Sequence, residues 1–299
     1  MPSNRASMTT TTSDPVAPLV SAYLSFLGYD ERPAVSVDSL TELHRRHLAA
    51  VPYENLEIML GRPPSVAPLD SLARVGRVGR AGYCFHQNGA LETVLTDLGY
   101  EVSRRAGHVW TTEDDRWTGS LNHLVLVVSG LPTDDNPDGT WWPDVGLGDA
   151  IAEPLPLVVG KYDQGGFEYA ITEVRHDGWS FRADPTGSFL GLETSPPPSL
   201  ADVDACHHRL STPPDGRFAR LVAVQRRMPE RVDVVRGCLA HTITPGGQTE
   251  TELMTYDDWR GAIADGCGLS LAEVGDEELR ALFDRQHALH REWVEAGRP

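Results

Sequence analysis

The sequence predicts an α+β fold in which a helical segment is followed by a run of short strands and then by a mixed segment. Apolar residues recur at helical spacing up to Tyr100. Short β-rich runs separated by turn residues occupy the middle of the chain, and both patterns occur beyond a proline-rich stretch at 195–199. A length of 299 residues exceeds what one hydrophobic core usually serves, so two or three lobes are expected.

The charge balance excludes two classes of partner. Lysine and arginine number 26 and aspartate and glutamate 43, which gives a formal net charge of −17. Such a chain repels nucleic acid and anionic membrane surfaces, and no apolar run approaches the roughly 20 residues of a membrane span. We therefore expect a cytoplasmic protein that binds neither nucleic acid nor membranes.

Residues 1–14 contain no apolar stretch, so a signal peptide or anchor is not expected, and their Thr-rich composition predicts a disordered tail. Four scattered cysteines are too few for a disulfide framework. These cysteines are Cys84, Cys206, Cys238 and Cys267.

The segment 15–105 is predicted to be a helical bundle. An apolar stripe around Tyr23 predicts a first helix that Gly28 ends. Ser39 or Asp38 is expected to cap a second helix. A third helix, with Leu91 and Val94 on its apolar side, should stop at Gly99.

The segment 106–205 is expected to form an antiparallel barrel or sandwich, because Gly, Pro, Asp and Asn separate its strand-like runs. The runs are 124–128, 140–145, 155–159, 167–171 and 179–183. The three prolines within 195–199 indicate a linker or a surface strap. Two further strands, 221–225 and 232–235, and a C-terminal helix are predicted in a mixed segment over 206–299.

The stretch Arg80-Ala-Gly-Tyr-Cys84-Phe-His-Gln-Asn88 carries the best candidate nucleophile. Gly82 allows a sharp turn, and Cys84 then falls in the first turn of the third helix. Unpaired amides and the positive end of the helix dipole favour a thiolate there. The competing interpretation is a small buried residue that fills a gap in the core.

A nucleophilic cysteine needs a base and a group that orients the base. His123 opens a predicted strand, and Asp144 ends the next one. A hairpin centred on Asp134 would place His123 opposite Val145 within a residue or two, which brings Asp144 into hydrogen-bonding range if both face the same side. The alternative is a strand-end histidine beside a turn aspartate with no shared task.

Six segments resemble the arylamine N-acetyltransferase family in order and spacing. Two of them surround the candidate base and its partner, Asn122-His-Leu-Val-Leu126 and Asp144-Val-Gly-Leu-Gly148. The others are Val51-Pro-Tyr-Glu-Asn-Leu56, Arg80–Asn88, Pro154-Leu-Pro-Leu157 and Ser211-Thr-Pro-Pro-Asp-Gly-Arg-Phe218.

The resemblance implies a helical bundle, a β-barrel and an α/β lid around a cysteine-protease-like core. It also implies ping-pong acetyl transfer: Cys84 would take the acetyl group from acetyl-CoA and pass it to a small aromatic amine or hydrazine. His123 would hold the proton and Asp144 would hold His123. No tightly bound cofactor and no metal are implied, since acetyl-CoA is a cosubstrate.

Three positions depart from the family pattern. Ala81 stands where the family has glycine, and His86 replaces a glutamate but is too close in sequence to Cys84 to share its helix face. Gly216 occupies a serine position near the family's acyl-donor pocket.

The anionic donor requires local cations in an acidic protein. Residues 209–236 contain seven arginines against three acidic residues, which makes this stretch a candidate for phosphate contacts, although a solvated strand face would have the same composition. Within it, Arg217, Phe218 and Arg220 are the predicted CoA contacts.

Two alternatives use the same three site residues. One is an amide synthase that closes a macrolactam from a carrier-bound polyketide chain, and the other is a hydrolase related to cysteine proteases or transglutaminases. Three weaker candidates are expected to have structural roles. A metal site at Cys206-His-His208 lacks distant ligands. His44 and His47, which lie one helical turn apart, suit solvent or packing roles, and Glu54 suits helix capping.

Overall fold

The computed structural model describes residues 15–214 and 216–298, so the predicted tail over 1–14 lies outside the described residues. Helices dominate up to residue 98 and surround a core that includes Tyr23, Leu43 and Leu95. They are α1 (Val16–Phe26), α2 (Val37–Ala50), α3 (Leu56–Met59), α4 (Pro68–Val78) and α5 (Cys84–Leu98), and the short strand β1 (Tyr53–Glu54) lies between α2 and α3.

Eight antiparallel strands follow and curl into a nearly closed barrel with the order β5-β4-β3-β2-β9-β8-β7-β6. Its core includes the aromatic residues Trp142, Tyr169 and Phe181. The strands are β2 (Glu101–Trp110), β3 (His123–Ser129), β4 (Trp141–Trp142), β5 (Leu155–Pro156), β6 (Gly160–Gln164), β7 (Phe167–Arg175), β8 (Gly178–Arg182) and β9 (Gly191–Ser195).

The third part of the fold is an α/β lid. Its core contains Val224, Trp259 and Leu282. Its elements are α6 (Leu200–Ser211), a 3₁₀ turn (Arg217–Ala219), β10 (Ala223–Met228), β11 (Arg231–Arg236), β12 (Leu239–Thr244), β13 (Gly247–Glu252), α7 (Tyr256–Gly261), a π turn (Ala262–Gly266) and α8 (Asp276–Glu295).

The bundle and the lid share a sheet. Strand β1 pairs antiparallel with β10, so that Tyr53 lies opposite Gln225, and the sheet order is β1-β10-β11-β12-β13. Asn55 reinforces this junction: its Nδ2 donates to the carbonyl oxygens of Phe218 and Leu221 at 2.9 and 2.8 Å, and its Oδ1 accepts from the amide of Ala223. The segment leading into β10 is therefore held by the bundle.

Several local predictions are confirmed. Helix α1 ends before Gly28, whose φ is +78°, and α5 ends before Gly99, whose φ is +100°. Residues Val128 and Trp141 pair across the β3–β4 hairpin, which differs by one residue from the predicted register.

Other local predictions are wrong. The cap of α2 is Ser36, whose hydroxyl accepts from the amide of Ser39, because the helix begins two or three residues earlier than the apolar pattern indicates. The predicted strands at 140–145 and 155–159 shorten to two residues each. Strand β2 begins at Glu101 and crosses the predicted domain boundary after residue 105, and α6 (Leu200–Ser211) crosses the predicted boundary after residue 205. The division into three domains stays a prediction.

Among the described residues, no helix is long and apolar enough to cross a membrane.

Candidate active site

Cys84 is the first residue of α5, and the turn before it requires glycine. Gly82 has a φ of +126°, and a Cβ there would lie 2.6 Å from Nδ1 of His86. The Gly82 carbonyl accepts from the amide of Glu54 at 3.1 Å and from Nε2 of Gln87 at 3.2 Å. The backbone that presents Cys84 is thus fixed from two sides.

Cys84, His123 and Asp144 lie together where the bundle meets the barrel. The His123 Nε2 lies 2.7 Å from the Asp144 Oδ2, and the imidazole also forms a hydrogen bond with the Cys84 side chain. The three residues are 3%, 2% and 1% exposed. The spatial arrangement expected from the hairpin register is therefore present.

Burial alone would lower the pKa of His123. The neighbouring charges of Asp144 and Cys84, with hydrogen bonds to both, outweigh burial and raise the pKa to about 10. At neutral pH the imidazole is therefore protonated, and it can stabilise a thiolate on one side while it is held by a carboxylate on the other.

Four N–H donors converge on the Asp144 carboxylate. Besides His123, the indole of Trp142 donates to Oδ2 at 3.1 Å, and the Asn88 amide and the Gly146 backbone N–H donate to Oδ1 at 2.8 and 3.0 Å. A carboxylate with this many donors has little rotational freedom, so it fixes the orientation of the imidazole.

His44 positions the backbone of Asp144. Its Nε2 accepts from the Asp144 amide at 3.1 Å, and its Nδ1 lies 3.0 Å from the carbonyl oxygen of Ala152. The carbonyl fixes the tautomer, with the proton on Nδ1. Burial lowers the pKa of His44 to about 4, against smaller opposing contributions from the Ala152 and Asp144 contacts, so the ring is neutral at pH 7.

Two glycines leave room for the catalytic candidates. A Cβ on Gly146 would lie 2.7 Å from the Cα of Cys84 and 3.0 Å from its Cβ. A Cβ on Gly107, which pairs with His123 across β2 and β3, would lie 3.1 Å from the His123 Cβ. Side chains at either position would displace the nucleophile or the imidazole.

The predicted CoA contacts lie at the lid side of the site. Phe218 packs on the rings of Tyr83 and Tyr53, with centroid distances of 4.6 and 6.3 Å. Burial raises the pKa of Tyr53, and the neighbouring Cys84 raises it further, whereas the positive charge of Arg217 lowers it. Tyr53 therefore lies near both Cys84 and Arg217. Arg217 and Arg220 are exposed, and neither forms a salt bridge within residues 15–214 and 216–298.

The larger arginine patch is not a single free surface. Arg227 is 2% exposed, and its Nε donates to the Ala150 carbonyl at 2.5 Å. Arg226 donates to the carbonyl of Ala49 at 2.9 Å, and Arg209 donates to the carbonyl of Leu121 at the same distance. These three guanidinium groups bind backbone carbonyls, so the candidate stretch for phosphate contacts narrows to its remaining arginines.

The weaker candidates have structural roles in the described part of the chain. His47 is buried between the Tyr23 hydroxyl and the Gln87 side-chain oxygen, so packing rather than solvent exposure is its role. The Glu54 Oε2 accepts from the amide of Leu56 at 2.6 Å, which caps α3 as predicted. Within residues 15–214 and 216–298, no group of histidine, cysteine or acidic side chains could hold a metal.

Sequence reasoning missed the residues that hold Asp144. Asn88 follows Cys84 by four residues, so helical spacing alone places both on one face, and this signal was available. His44 carries no such signal, because its contact with the Asp144 amide depends on how the barrel packs against α2. Trp142 lies only two residues before Asp144, but its indole reaches the carboxylate only because the chain turns after β4.

Comparison with known proteins identifies the class of enzyme to which this chain is similar. A family model described as N-acetyltransferase matches residues 36–274, which include most of the bundle, the whole barrel and much of the lid. An arylamine N-acetyltransferase of Mycolicibacterium smegmatis is 33% identical over 267 residues, covering 87% of this chain and 94% of the relative.

Solved structures of such enzymes share the fold. That of the M. smegmatis enzyme superposes with a TM-score of 0.78 at 26% identity, covering 88% of this chain and 97% of the other. A Mycobacterium marinum arylamine N-acetyltransferase in complex with CoA gives the same TM-score and identity, with coverage of 89% and 98%. The chain belongs to the arylamine N-acetyltransferase family, and the predicted family, fold class and acyltransferase type are confirmed.

Proposed function

We propose that the chain moves an acetyl group from acetyl-CoA to an arylamine or arylhydrazine through an acetyl-Cys84 intermediate. The observation that carries this proposal is the contact of the Cys84 thiol with an imidazole that Asp144 holds and keeps protonated. The relatives named arylamine N-acetyltransferase, one of them solved with CoA, support the substrate pair. They favour neither the amide synthase nor the hydrolase alternative.

In the first half-reaction the Cys84 thiolate attacks the carbonyl carbon of the acetyl thioester. The bond between that carbon and the CoA sulfur breaks, and the CoA thiolate leaves with the proton of the His123 imidazolium. The products are acetyl-Cys84, free CoA and a neutral imidazole.

In the second half-reaction an amine attacks the acetyl-Cys84 carbonyl. The neutral imidazole of His123 accepts the amine proton, the C–S bond breaks, and the Cys84 thiolate and protonated His123 are regenerated. Asp144 holds the ring throughout.

The start of α5 supplies donors for the tetrahedral intermediates. The first amides that bond within the helix are those of His86 and Gln87, which donate to the Tyr83 carbonyl. The preceding amides of Cys84 and Phe85 have no carbonyl one turn earlier within the helix, and we assign them to the developing oxyanion.

The central test of this function is acetylation of the enzyme itself. Purified protein is incubated with acetyl-CoA and no acceptor, and intact mass is measured. We expect stoichiometric gain of one acetyl group in the wild type and none in Cys84→Ala, while Cys238→Ala, which replaces a buried cysteine of the lid core, should be acetylated like the wild type. An unmodified wild-type protein would overturn acetyl transfer and direct attention to the amide synthase.

We also propose Arg217, Phe218 and Arg220 as CoA contacts, because Phe218 belongs to the ring cluster beside Cys84, the Arg217 guanidinium lies 5.3 Å from the centre of the Phe218 ring, and Arg220 is exposed on the same short segment. Arg217→Ala and Arg220→Ala are expected to raise the KM for acetyl-CoA by roughly 3- to 30-fold each, in keeping with the loss of a charge-assisted hydrogen bond. Arg291→Ala, in which an exposed arginine of α8 is removed, serves as the control. An unchanged KM in both variants would disprove the assignment.

The cytoplasmic location stays a prediction from the sequence, which cell fractionation tests.

A further inference from the structure

Helix α6 packs into the same apolar cluster as the nucleophile. Val203, Cys206 and Leu210 on one side of this helix belong to the same apolar cluster as Cys84 and Phe85. Cys206 is 2% exposed. Apolar side chains of α6 therefore belong to the core that surrounds Cys84.

Contacts on both sides of the catalytic residues hold α6 in place. The His207 Nδ1 lies 2.7 Å from the hydroxyl of Tyr83, the residue before Cys84. The Cys206 thiol donates to the carbonyl of Leu121 at 3.0 Å, and Arg209 donates to the same carbonyl. Because Leu121 lies two residues before His123, the helix is tied to the backbone that precedes both the nucleophile and the imidazole.

Cys206 also lines a cleft of about 400 Å³. The proline strap, Pro196–Pro198, and α6 form its walls, with Ala106 and Leu121 among the residues that line it. Cys206 and Leu121 line this cleft and also belong to the cluster that contains Cys84. The Cys206 and Cys84 thiols lie against the carbonyl oxygens of consecutive residues, Leu121 and Asn122, at 3.0 and 3.7 Å, so Cys206 lies close to both the cleft and the nucleophile.

We propose that Cys206 determines the length of the acyl group that Cys84 accepts. With cysteine at this position the space over Cys84 ends at the Cys206 side chain and suits a short acyl group. A shorter side chain would connect that space with the cleft under the proline strap, which can take the tail of a linear aliphatic acyl group. This inference rests on the proposed acyl-cysteine intermediate and adds the residue that selects its chain length.

Cys206 acts here by its volume and not as a second nucleophile. Burial raises the pKa of its thiol to about 11, and the nearby Arg209 only partly offsets this shift. The thiol is therefore neutral at pH 7, and thiols in this state are weak nucleophiles. A pocket wall that excludes one methylene group discriminates by roughly 10- to 200-fold.

The test compares acetyl-CoA, n-butyryl-CoA and n-hexanoyl-CoA as donors, with the rate of acyl-Cys84 formation followed by intact mass. We expect the wild type to react with acetyl-CoA about tenfold or more faster than with n-butyryl-CoA. Cys206→Ala should raise the butyryl-to-acetyl rate ratio by about tenfold, and Cys206→Gly should extend the gain to hexanoyl. Cys206→Thr, which approximately keeps the volume of the side chain, and Cys238→Ala should retain the wild-type ratio.

Three outcomes would overturn the inference: equal wild-type rates for all three donors, an unchanged ratio in both shortened variants, or a ratio that rises equally in Cys206→Thr. Leu121→Ala shortens the other side chain that lines the cleft beside Cys206. It is expected to raise the butyryl-to-acetyl rate ratio even if the α6 variants fold poorly. If the wild type forms acetyl-Cys84 but reacts equally fast with the longer donors, the role of Cys206 is refuted and the proposed function is not. A wild type that forms no acyl-enzyme refutes the proposed function as well.

Discussion

Asp144→Asn is expected to slow acetyl-Cys84 formation at pH 7 by on the order of 10⁴-fold, as for the aspartate of other catalytic triads. Burial lowers the pKa of His123, and the carboxamide removes the largest of the contributions that oppose burial, so the pKa falls and the imidazole loses its proton more readily. It also presents an N–H group where Asp144 now accepts four donors. Pre-steady-state mass measurement with acetyl-CoA gives the rate.

Asp149→Asn provides the matched control. Asp149 is also buried, five residues further along, and its Oδ2 accepts from the amide of Ser188 at 2.7 Å instead of from the imidazole. A loss of rate in Asp149→Asn as large as that in Asp144→Asn would show that any buried carboxylate in this turn matters, which contradicts a specific role in holding His123.

The His123–Asp144 pair also affects the stability of the fold, and its contribution depends on pH. Because folding raises the pKa of His123 from its ordinary 6.5 to about 10, its stabilising contribution is complete below pH 6.5 and disappears as pH rises through 10. The difference in free energy of unfolding between wild type and Asp144→Asn should therefore be largest near pH 6 and shrink towards pH 10. Denaturant unfolding at several pH values measures it, and a difference that grows with pH would contradict the assigned charge pair.

Gly146→Ala is expected to reduce the rate of acetyl-Cys84 formation by about 100-fold, because misplacement by about 1 Å costs that much in an oriented site. The new methyl group would lie 2.7 Å from the Cα of Cys84 and 3.0 Å from Nδ2 of Asn88, so either the start of α5 or the Asp144 turn must shift. Overpacking of this kind costs about 1–3 kcal/mol of stability.

Gly246→Ala controls for the substitution itself, because the nearest atom to a Cβ there is the Thr244 hydroxyl oxygen at 3.8 Å. Transient kinetics and thermal unfolding are measured on both variants. If Gly146→Ala loses stability but reacts at the wild-type rate, the close approach of the Asp144 turn to Cys84 has no catalytic importance.

The elements that could be predicted from the sequence are those with local signals. Helix α5 has a stripe of apolar residues and a glycine at its end, and the β3–β4 hairpin has a turn-rich centre that fixed its register within one residue. Helix α6 was missed although Ser199 and Asp202 form a capping box, because three prolines directly before it favoured a strap.

Strands without apolar alternation could not be predicted. Strand β2 contains Arg104, Arg105 and Gly107 and is stabilised by pairing with β3 on one side and β9 on the other, so tertiary pairing outweighs its composition. Within the site, the contact of Cys84, His123 and Asp144 followed from residue types and register. The neutral His44 behind Asp144 is 100 positions away in sequence, and only the folded packing of α2 against the barrel brings it there.

The shared sheet has a consequence for the order in which the chain can fold during synthesis. Strand β1 is made early, but its partner β10 ends at Met228. Strand β1 of the nascent bundle therefore has no partner strand, next to the turn that presents Cys84, while well over 150 further residues are translated. The nucleophile reaches its final environment only when the lid sheet has formed, so an incomplete chain released from the ribosome would expose this edge and a thiol not yet in its buried site.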